Sequence, residues 1–529
     1  SVHMDYMQLY RKYTYEERHS YSLDAILEYE GLEGKTKYEG TLDQLYNQNF
    51  KTFIEYNRQD VNGIAQMDKK LKFLDLANTL AHENTVLLQT TMGAVAVTEQ
   101  AIINEAHERG MVVPNRKERL TDEDTQAAGA YVAYPKKGMH EWVGAIDINS
   151  LYPSAIRALN MGPETIIGQL RPTMTKRYIR EKMAAGASFA GAWEGLFATL
   201  EYTAVMEQQR GTEITIDWQD GDESVHSAAE VWKIVFDSNQ PWIISANGTI
   251  FTFEKEGIIP GLLKRWYAER KQMQAKLKEC ETKEDEEYWD KRQLVKKINL
   301  NSLYGAILNA GCRFFDKRIG QSTTLTGRVI ARHMDAYVNE CITGKYDHTG
   351  EAIVYGDTDS VYFSAWPIFE KDIRAGKMEW SKDICVELYD KIADSVNESF
   401  PPFMERAFHC PLEMGAIIKG GREMVASKGL FIKKKRYAVL IYDMEGTRLD
   451  THGKPGKVKA MGLDLKRSDT PKVVQEFLSE LLMDVLTGSG KEDIIAKVKE
   501  FKILFAGRPA WEKGTPKRVN NLTKYTAEE

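Results

Sequence analysis

Ile353-Val-Tyr-Gly-Asp-Thr-Asp-Ser-Val-Tyr-Phe363 reads as two short apolar strands joined by a turn that carries a glycine and two carboxylates. β-Branched and aromatic residues favour strands, whereas Gly356, Asp357 and Asp359 bring turn chemistry. Side chains alternate along extended chain, so Asp357 and Asp359 can point to one side. Hard carboxylate oxygens presented in this way suit Mg²⁺, which takes one or two carboxylates and completes its octahedron with phosphates and waters. On its own the turn leaves other readings open, namely a fragment of a calcium loop or a solvated hairpin tip.

The rest of the chain narrows that choice. At 529 residues it exceeds one ordinary core and implies several domains. An apolar content of 43% marks it as globular, and no stretch approaches the roughly 18 uninterrupted apolar residues that cross a bilayer. The start, Ser1-Val2-His3-Met4-Asp5, has no signal-peptide pattern, so an intracellular protein is expected. Five scattered cysteines without a CxxC pair argue against a disulfide framework or a zinc ribbon. The net charge of −6 conceals a segregation: Gly415 to Arg467 holds 13 Lys and Arg against 5 Asp and Glu. A basic segment in an acidic chain lets one surface hold phosphate, although a solvated charged face would read alike.

The first hundred or so residues read as mainly helical, with apolar spacing in Leu71–Leu76 and around Leu87-Leu88, and Val113-Pro114-Asn115 through Asp124 marks a boundary. Trp142 to Ile146 reads as a strand running into Asp147, with Pro153 opening the helix Ser154–Leu159. Residues 165–255 mix strand-like runs such as Trp242-Ile243-Ile244 with polar turns. Ile258 to Tyr304 forms two charged helical segments around the acidic run Glu281–Glu287, an antiparallel helical hairpin. Helices to about residue 410, a basic strand-rich segment and an amphipathic helix, Val473 to Leu486 after Ser468-Asp469-Thr470-Pro471, complete the chain.

Candidate chemistry falls on these elements. Asp147 precedes a helix start at Ser150-Leu151-Tyr152, whose backbone amides can meet a triphosphate. Lys297, Asn301 and Tyr304 recur at helical spacing and share one face, with Gly305 after them. Arg270, on the first arm, can offer a planar fork to a phosphate oxygen.

Asp147-Ile-Asn-Ser-Leu-Tyr-Pro-Ser154, Lys297-Ile-Asn-Leu-Asn-Ser-Leu-Tyr-Gly305 and Tyr355-Gly-Asp-Thr-Asp-Ser360 resemble, in order, the polymerase motifs of family B DNA polymerases. Asn160–Thr165, Lys434–Ala438 and Asp443–Arg448 resemble in particular the replicative polymerases of T-even-type bacteriophages. The resemblance runs from about Met4 to the end. It implies an α+β multidomain right hand: 1–110 the C-terminal part of a ribonuclease H-like 3′-5′ exonuclease domain, 111–255 and 307–466 the palm, 256–306 the helical-hairpin fingers, and 467–529 a partial thumb.

The resemblance also implies roles. Asp147, Asp357, Asp359 and the Ile148 carbonyl would hold two Mg²⁺ ions, for which Mn²⁺ can substitute. Ser150, Leu151, Tyr152, Arg270, Lys297, Asn301 and Tyr304 would bind the deoxynucleotide, with Tyr152 as steric gate against a 2′-hydroxyl. Gly305, Thr358, Lys435, Tyr437 and Arg467 would meet primer-template DNA. Gln274 stands where the family often has a second fingers cation, and Ala127-Ala128-Gly129-Ala130 lacks the tyrosine that commonly precedes the small pair linking the two activities.

Tyr56-Asn57-Arg58-Gln59-Asp60 resembles the third motif of the family's exonuclease, in which the aspartate binds metal and the tyrosine orients water. The first two motifs do not occur in this sequence, so proofreading is expected to be incomplete in this chain. Ser1 is not an initiator methionine, and the sequence ends without the tail that contacts a sliding clamp in relatives. A fragment, a processed product or one half of a split polymerase is the expectation. The leading reading is a DNA polymerase acting in phage DNA replication, in the host cytoplasm. The alternative is a catalytically silent DNA-binding half that needs an N-terminal partner polypeptide; a nuclease reading lacks its carboxylates.

Overall fold

One strand, β1 (Gly138–Ile148), organises the part of the protein that carries the candidate chemistry. The computed structural model describes residues 2–14, 18, 20–115, 130–172, 184–186, 213–467 and 470–514, divided into a unit of residues 1–92 with 462–529 and a larger unit of residues 93–461. Most of the stretch expected to mark a boundary, 116–124, therefore lies outside the described residues, as do Ala127–Gly129, Ser468 and Asp469. Helix and sheet are mixed, as the sequence led us to expect. No helix of the described residues is long and apolar enough to cross a membrane.

In the smaller unit, α1 (Tyr6–Tyr13), α2 (Leu23–Tyr29), α4 (Phe50–Leu71) and α5 (Phe73–Asn84) pack around an aromatic core, and α3 (Leu42–Gln48) packs on α4. Tyr6, Tyr10, Leu27 and Met67 are buried there with Phe73 against them. The apolar run Leu71–Leu76 is not one helix, because Lys72 adopts a left-handed φ of 54° and separates α4 from α5.

In the larger unit, α6 (Ala94–Glu108) precedes an antiparallel sheet in which β1 is central. On one side lie β8 (Ser360–Ser364) and β7 (Ile353–Asp357), the two strands of the carboxylate hairpin; on the other lie β9 (Gly420–Lys433) and β10 (Arg436–Met444), from the basic segment. β11 (Thr447–Arg448) and β12 (Lys457–Met461) both pair with β10. Stretches far apart in sequence are thus threaded onto the two edges of β1. A separate sheet, ordered β4-β3-β2-β6-β5 from β2 (Ile166–Pro172), β3 (Glu213–Trp218), β4 (Glu223–Ser227), β5 (Trp242–Ile244) and β6 (Thr249–Thr252), occupies the stretch whose strands had no legible arrangement. Its own small core includes Leu170, Ile216, Val231 and Ile250.

The short helix α7 (Leu151–Ala158) follows β1 directly. It begins before Pro153, so the proline sits within the first helical turn, where amides have no intrahelical acceptor and its missing N–H costs nothing. Next comes α8 (Ala228–Val235), capped by the reciprocal Ser227 and Glu230 pair. The expected helical hairpin is α9 (Ile258–Lys278) and α10 (Lys283–Ile307). The acidic run is only partly a connection: Glu284, Asp285 and Glu286 form the first turn of α10, where negative charge complements the helix dipole, and Thr282 caps the Asp285 amide. The hairpin's first arm is anchored by Asn160, whose amide spans the carbonyls of Thr252 and Lys255 and accepts from Gly257. That anchor is the physical content of the Asn160–Thr165 stretch.

The long helix α11 (Lys317–Thr343) is buried over most of its length, and α12 (Trp366–Arg374) and α13 (Lys382–Phe408) follow the carboxylate hairpin. Ile146 and Ile148 face this helical core, with Leu151, Leu263, Leu303 and Met334. Val143 and Ala145 face a second, aromatic cluster of Tyr355, Tyr362, Phe431 and Tyr437. The Asp443–Arg448 stretch is a turn: Asp443 accepts from the Gly446 amide at 3.1 Å and from Arg422 at 2.6 Å, with both charged side chains buried. The smaller unit's second stretch carries α14 (Lys472–Thr487) and α15 (Lys491–Gly507), joined by Phe477 stacked 3.8 Å from Phe501.

Candidate active site

The end of β1 is where the carboxylates come together. Because Ile146 and Ile148 turn into the helical core, alternation leaves Asp147 on the opposite face, beyond Val143 and Ala145. Asp147 is in register with Ser360 of β8 and with Gly421 of β9. The Ile148 amide donates to the Asp359 carbonyl at 2.8 Å, so the two aspartates sit on adjoining backbone. The β7–β8 turn consists of Thr358 and Asp359; Thr358 has φ 61° and its amide donates to the Tyr131 carbonyl at 2.8 Å. Residues 131–136 run along the free edge of β7, with Ala133 and Lys136 amides donating to Gly356 and Val354, both at 2.9 Å. Gly356 answers a close approach: a Cβ there would lie 2.8 Å from Asp335 Oδ2, in the buried helix α11.

Negative charge at this place exceeds its compensation. Asp147 is pushed up to about 7 by burial first, then by the charges of Asp359 and Glu423, with Lys459 opposing. Asp359 is also raised, by burial, with Asp357 and Glu423 adding and its own backbone amide and Lys435 opposing. Two ammonium groups partly balance the cluster: Lys459 on Glu423 at 2.7 Å and Lys435 on Asp357 at 3.3 Å. Half-buried carboxylates that raise one another's proton affinity are short of positive charge, and their oxygen donors are the type that Mg²⁺ prefers. Among the described residues no three His, Cys, Asp or Glu side chains form a ready-made metal cage. The site therefore offers neighbouring carboxylates rather than a closed ligand set.

Beside the carboxylates, Ser150 adopts a left-handed φ of 50° as α7 begins and makes no side-chain cap, leaving the first amides of α7 without one. The Tyr152 ring lies 4.4 Å from the Tyr304 ring, tilted by 31°. Gly327 of α11 makes room for it, since a Cβ there would sit 3.0 Å from Tyr152 Cε1. The Tyr152 phenol is raised by burial, then by the charges of Tyr304 and Asp359. Tyr304 is itself raised by burial, and its hydroxyl bonds to Thr324 of α11. Asn301 and Gly305 are exposed, and nothing lies within 4 Å of where a Gly305 Cβ would be. Arg270 reaches across the helical hairpin to Gln293 at 3.4 Å, one turn before Lys297, so both cations lie along one side of α10.

The basic hairpin presents its residues unequally. Lys435, at the β9–β10 turn, is largely exposed, and Lys434 lies 4.0 Å over the ring of Tyr134. Tyr437, expected at the DNA, is 4% exposed; its hydroxyl bonds Tyr362 at 2.7 Å and its ring stacks on Phe431. It supports the turn from within and offers no ring face to a ligand. Arg467 belongs to the smaller unit, 3.9 Å from Asp464. In that unit, Tyr56 and Asp60 do lie together on α4, joined by Lys35, whose ammonium donates to Tyr56 at 3.2 Å and to Asp60 at 3.0 Å.

Glu423, Lys459, Tyr131 and Gly327 shape the site, yet none stood out in the sequence. Glu423 carried a faint signal, as one of the few acids in a basic segment. The others arrive through strand register and helix packing, which local pattern does not encode.

A model of DNA polymerase family B matches residues 85–506. The chain is 30% identical to the DNA-directed DNA polymerase of Escherichia phage RB69, over 91% of this chain and 54% of that protein. It is 27% identical to the DNA-directed DNA polymerase of Enterobacteria phage T4, over 99% of this chain and 58% of that protein, and 22% identical to DNA polymerase 1 of Pyrococcus abyssi, over 91% and 48%. The chain thus spans about half the length of the curated relatives it matches.

Proposed function

Since the chain belongs to DNA polymerase family B, we propose that it extends the 3′ end of a DNA primer on a template, as part of phage DNA replication in the host cytoplasm. One observation carries the reading: Asp147, near the end of β1, and Asp359, in the β7–β8 turn, adjoin through the Ile148 amide, and burial first, then the charge of Asp359, pushes Asp147 up to about 7. Asp147, Asp357, Asp359 and the Ile148 carbonyl would hold a pair of Mg²⁺ ions, for which the hard, charge-rich donor set is fitting. When bound, they supply neutralisation of triphosphate charge and a more acidic primer hydroxyl.

The chain's own groups do the positioning. The amides of Ser150, Leu151 and Tyr152 take triphosphate oxygens, with Arg270 and Lys297 as the cations from the helical hairpin. Tyr152, backed by Tyr304, fills the space of a ribose 2′-hydroxyl, and Asn301 and Gly305 line the way to the nascent pair. Lys435, Thr358 and Arg467 meet the duplex, with Tyr437 acting through Lys435. In this reading residues 111–255 and 307–466 form the palm, 256–306 the fingers and 467–529 part of the thumb.

Residues 1–110 would correspond to the C-terminal part of an exonuclease domain. Lys35 already neutralises Asp60 and engages Tyr56, which favours a structural pair over a metal site there. Primer extension with Mg²⁺ and the four deoxynucleotides tests the proposal: incorporation abolished in Asp359→Ala supports it. Incorporation only after an N-terminal polypeptide is added would instead favour a DNA-binding half.

A further inference from the structure

The contact between Lys435 and Asp357 joins two roles that the proposed function keeps apart. Lys435 stands at the β9–β10 turn with φ 58°, and its backbone amide donates to the hydroxyl of Tyr355 at 2.9 Å. Tyr355 is buried among Tyr362, Phe431 and Tyr437, and it lies on β7, two residues before Asp357. The aromatic cluster therefore pins the turn of the basic hairpin to the strand that ends in the carboxylate. Only the Lys435 side chain is left to move: it is 65% exposed, yet its ammonium rests 3.3 Å from Asp357 Oδ1.

We propose that Lys435 serves as a stand-in cation for Asp357, so that it competes with a divalent cation for that carboxylate and gives way when its ammonium is drawn to a DNA phosphate. Exposed ion pairs are weak, so the competition is a matter of a few-fold in affinity, small enough to be reversed by one phosphate contact. Linkage then requires the effect to run both ways: duplex DNA tightens cation binding, and the cation tightens DNA binding by the same factor. The DNA half of this inference rests on the proposed function; the competition at Asp357 does not.

The test is Mn²⁺ binding to the full chain, followed by the resonance of free Mn²⁺, with and without a primer-template duplex ended by a dideoxynucleotide. Without DNA, Lys435→Met is expected to bind Mn²⁺ about threefold tighter than the parent, and Lys435→Arg to match the parent. Lys434→Met, which removes the same charge from above the Tyr134 ring, is expected to change affinity less. Adding duplex should tighten Mn²⁺ binding in the parent and leave Lys435→Met nearly unchanged. Equal or weaker Mn²⁺ binding by Lys435→Met, or the same tightening in Lys434→Met, overturns the stand-in role. A duplex effect of the same size in the parent and Lys435→Met overturns the coupling. A parent chain that neither binds duplex nor extends primers refutes the polymerase reading, while the DNA-free comparison still decides the competition at Asp357.

Discussion

Tyr152 and Tyr304 form a pair of rings 4.4 Å apart, one from the helix that follows Asp147 and the other from the second arm of the helical hairpin. With Gly327 behind it, Tyr152, on the helix that follows Asp147, is held against Tyr304. Replacing it with alanine removes a fixed wall. Tyr152→Ala is expected to raise ribonucleotide use relative to deoxynucleotide use by about tenfold or more, the relief of a ~1–3 kcal/mol overpacking clash. Single-nucleotide incorporation with paired rNTP and dNTP substrates measures it, and an unchanged ratio removes the gate role.

Asp147 makes the metal-free protein sensitive to pH. Its carboxyl titrates at about 7 in the folded chain against an ordinary 3.8, so between those values the folded state holds a proton that the unfolded state has released. Stability therefore falls as pH rises from about 4 to 7 and levels off above. At about 1.4 kcal/mol per pH unit of displacement, the cost at pH 8 is on the order of a few kcal/mol. Thermal melts in chelator should show Asp147→Asn more stable than the parent at pH 8, the gap closing towards pH 4. A gap independent of pH would refute the cause.

Gly356→Ala is expected to cost about 1–3 kcal/mol, because its methyl group would press on the buried Asp335 carboxyl at 2.8 Å. The strain falls on the strand ending at Asp357. Melting temperature and primer extension should drop together, and full activity in a destabilised variant would show that the hairpin had kept its place.

Lys435→Ala should weaken duplex binding and lower the slope of log affinity against log salt by about one. Titrations of labelled primer-template at several salt concentrations give the slope. An identical slope takes Lys435 off the phosphate backbone.

Lys35→Ala leaves the half-buried Asp60 without its cation, and a loss of about 1 kcal/mol or more is expected in chemical denaturation. Excision of a mismatched primer end by the parent chain would contradict the structural reading of this pair.

The sequence disclosed what is local. The strand into Asp147, the carboxylate turn and the two-helix hairpin each carry their pattern within a few consecutive residues, and each stands where it was expected. What stayed hidden depends on register and packing. Glu423 and Lys459 reach Asp147 because β9 lies against β1 and β12 against β10, and no local period announces either pairing. Tyr437 was expected at the DNA from the family resemblance, whereas its alternation along β10 turns it into the aromatic cluster. In residues 165–255 strand-like runs such as Trp242-Ile243-Ile244 were legible, but the order of the sheet was not, because it rests on the pairing of β2 with both β3 and β6.

The central position of β1 also fixes when the carboxylate cluster can assemble during folding. One flank of the strand waits for β8 and the other for β9, both far along the chain from Asp147. Closing such distant loops is entropically slow: Asp147 gains Asp359 only when the β8 loop closes and Glu423 only when the β9 loop does. The carboxylates therefore meet late in folding, after the local hairpins have formed.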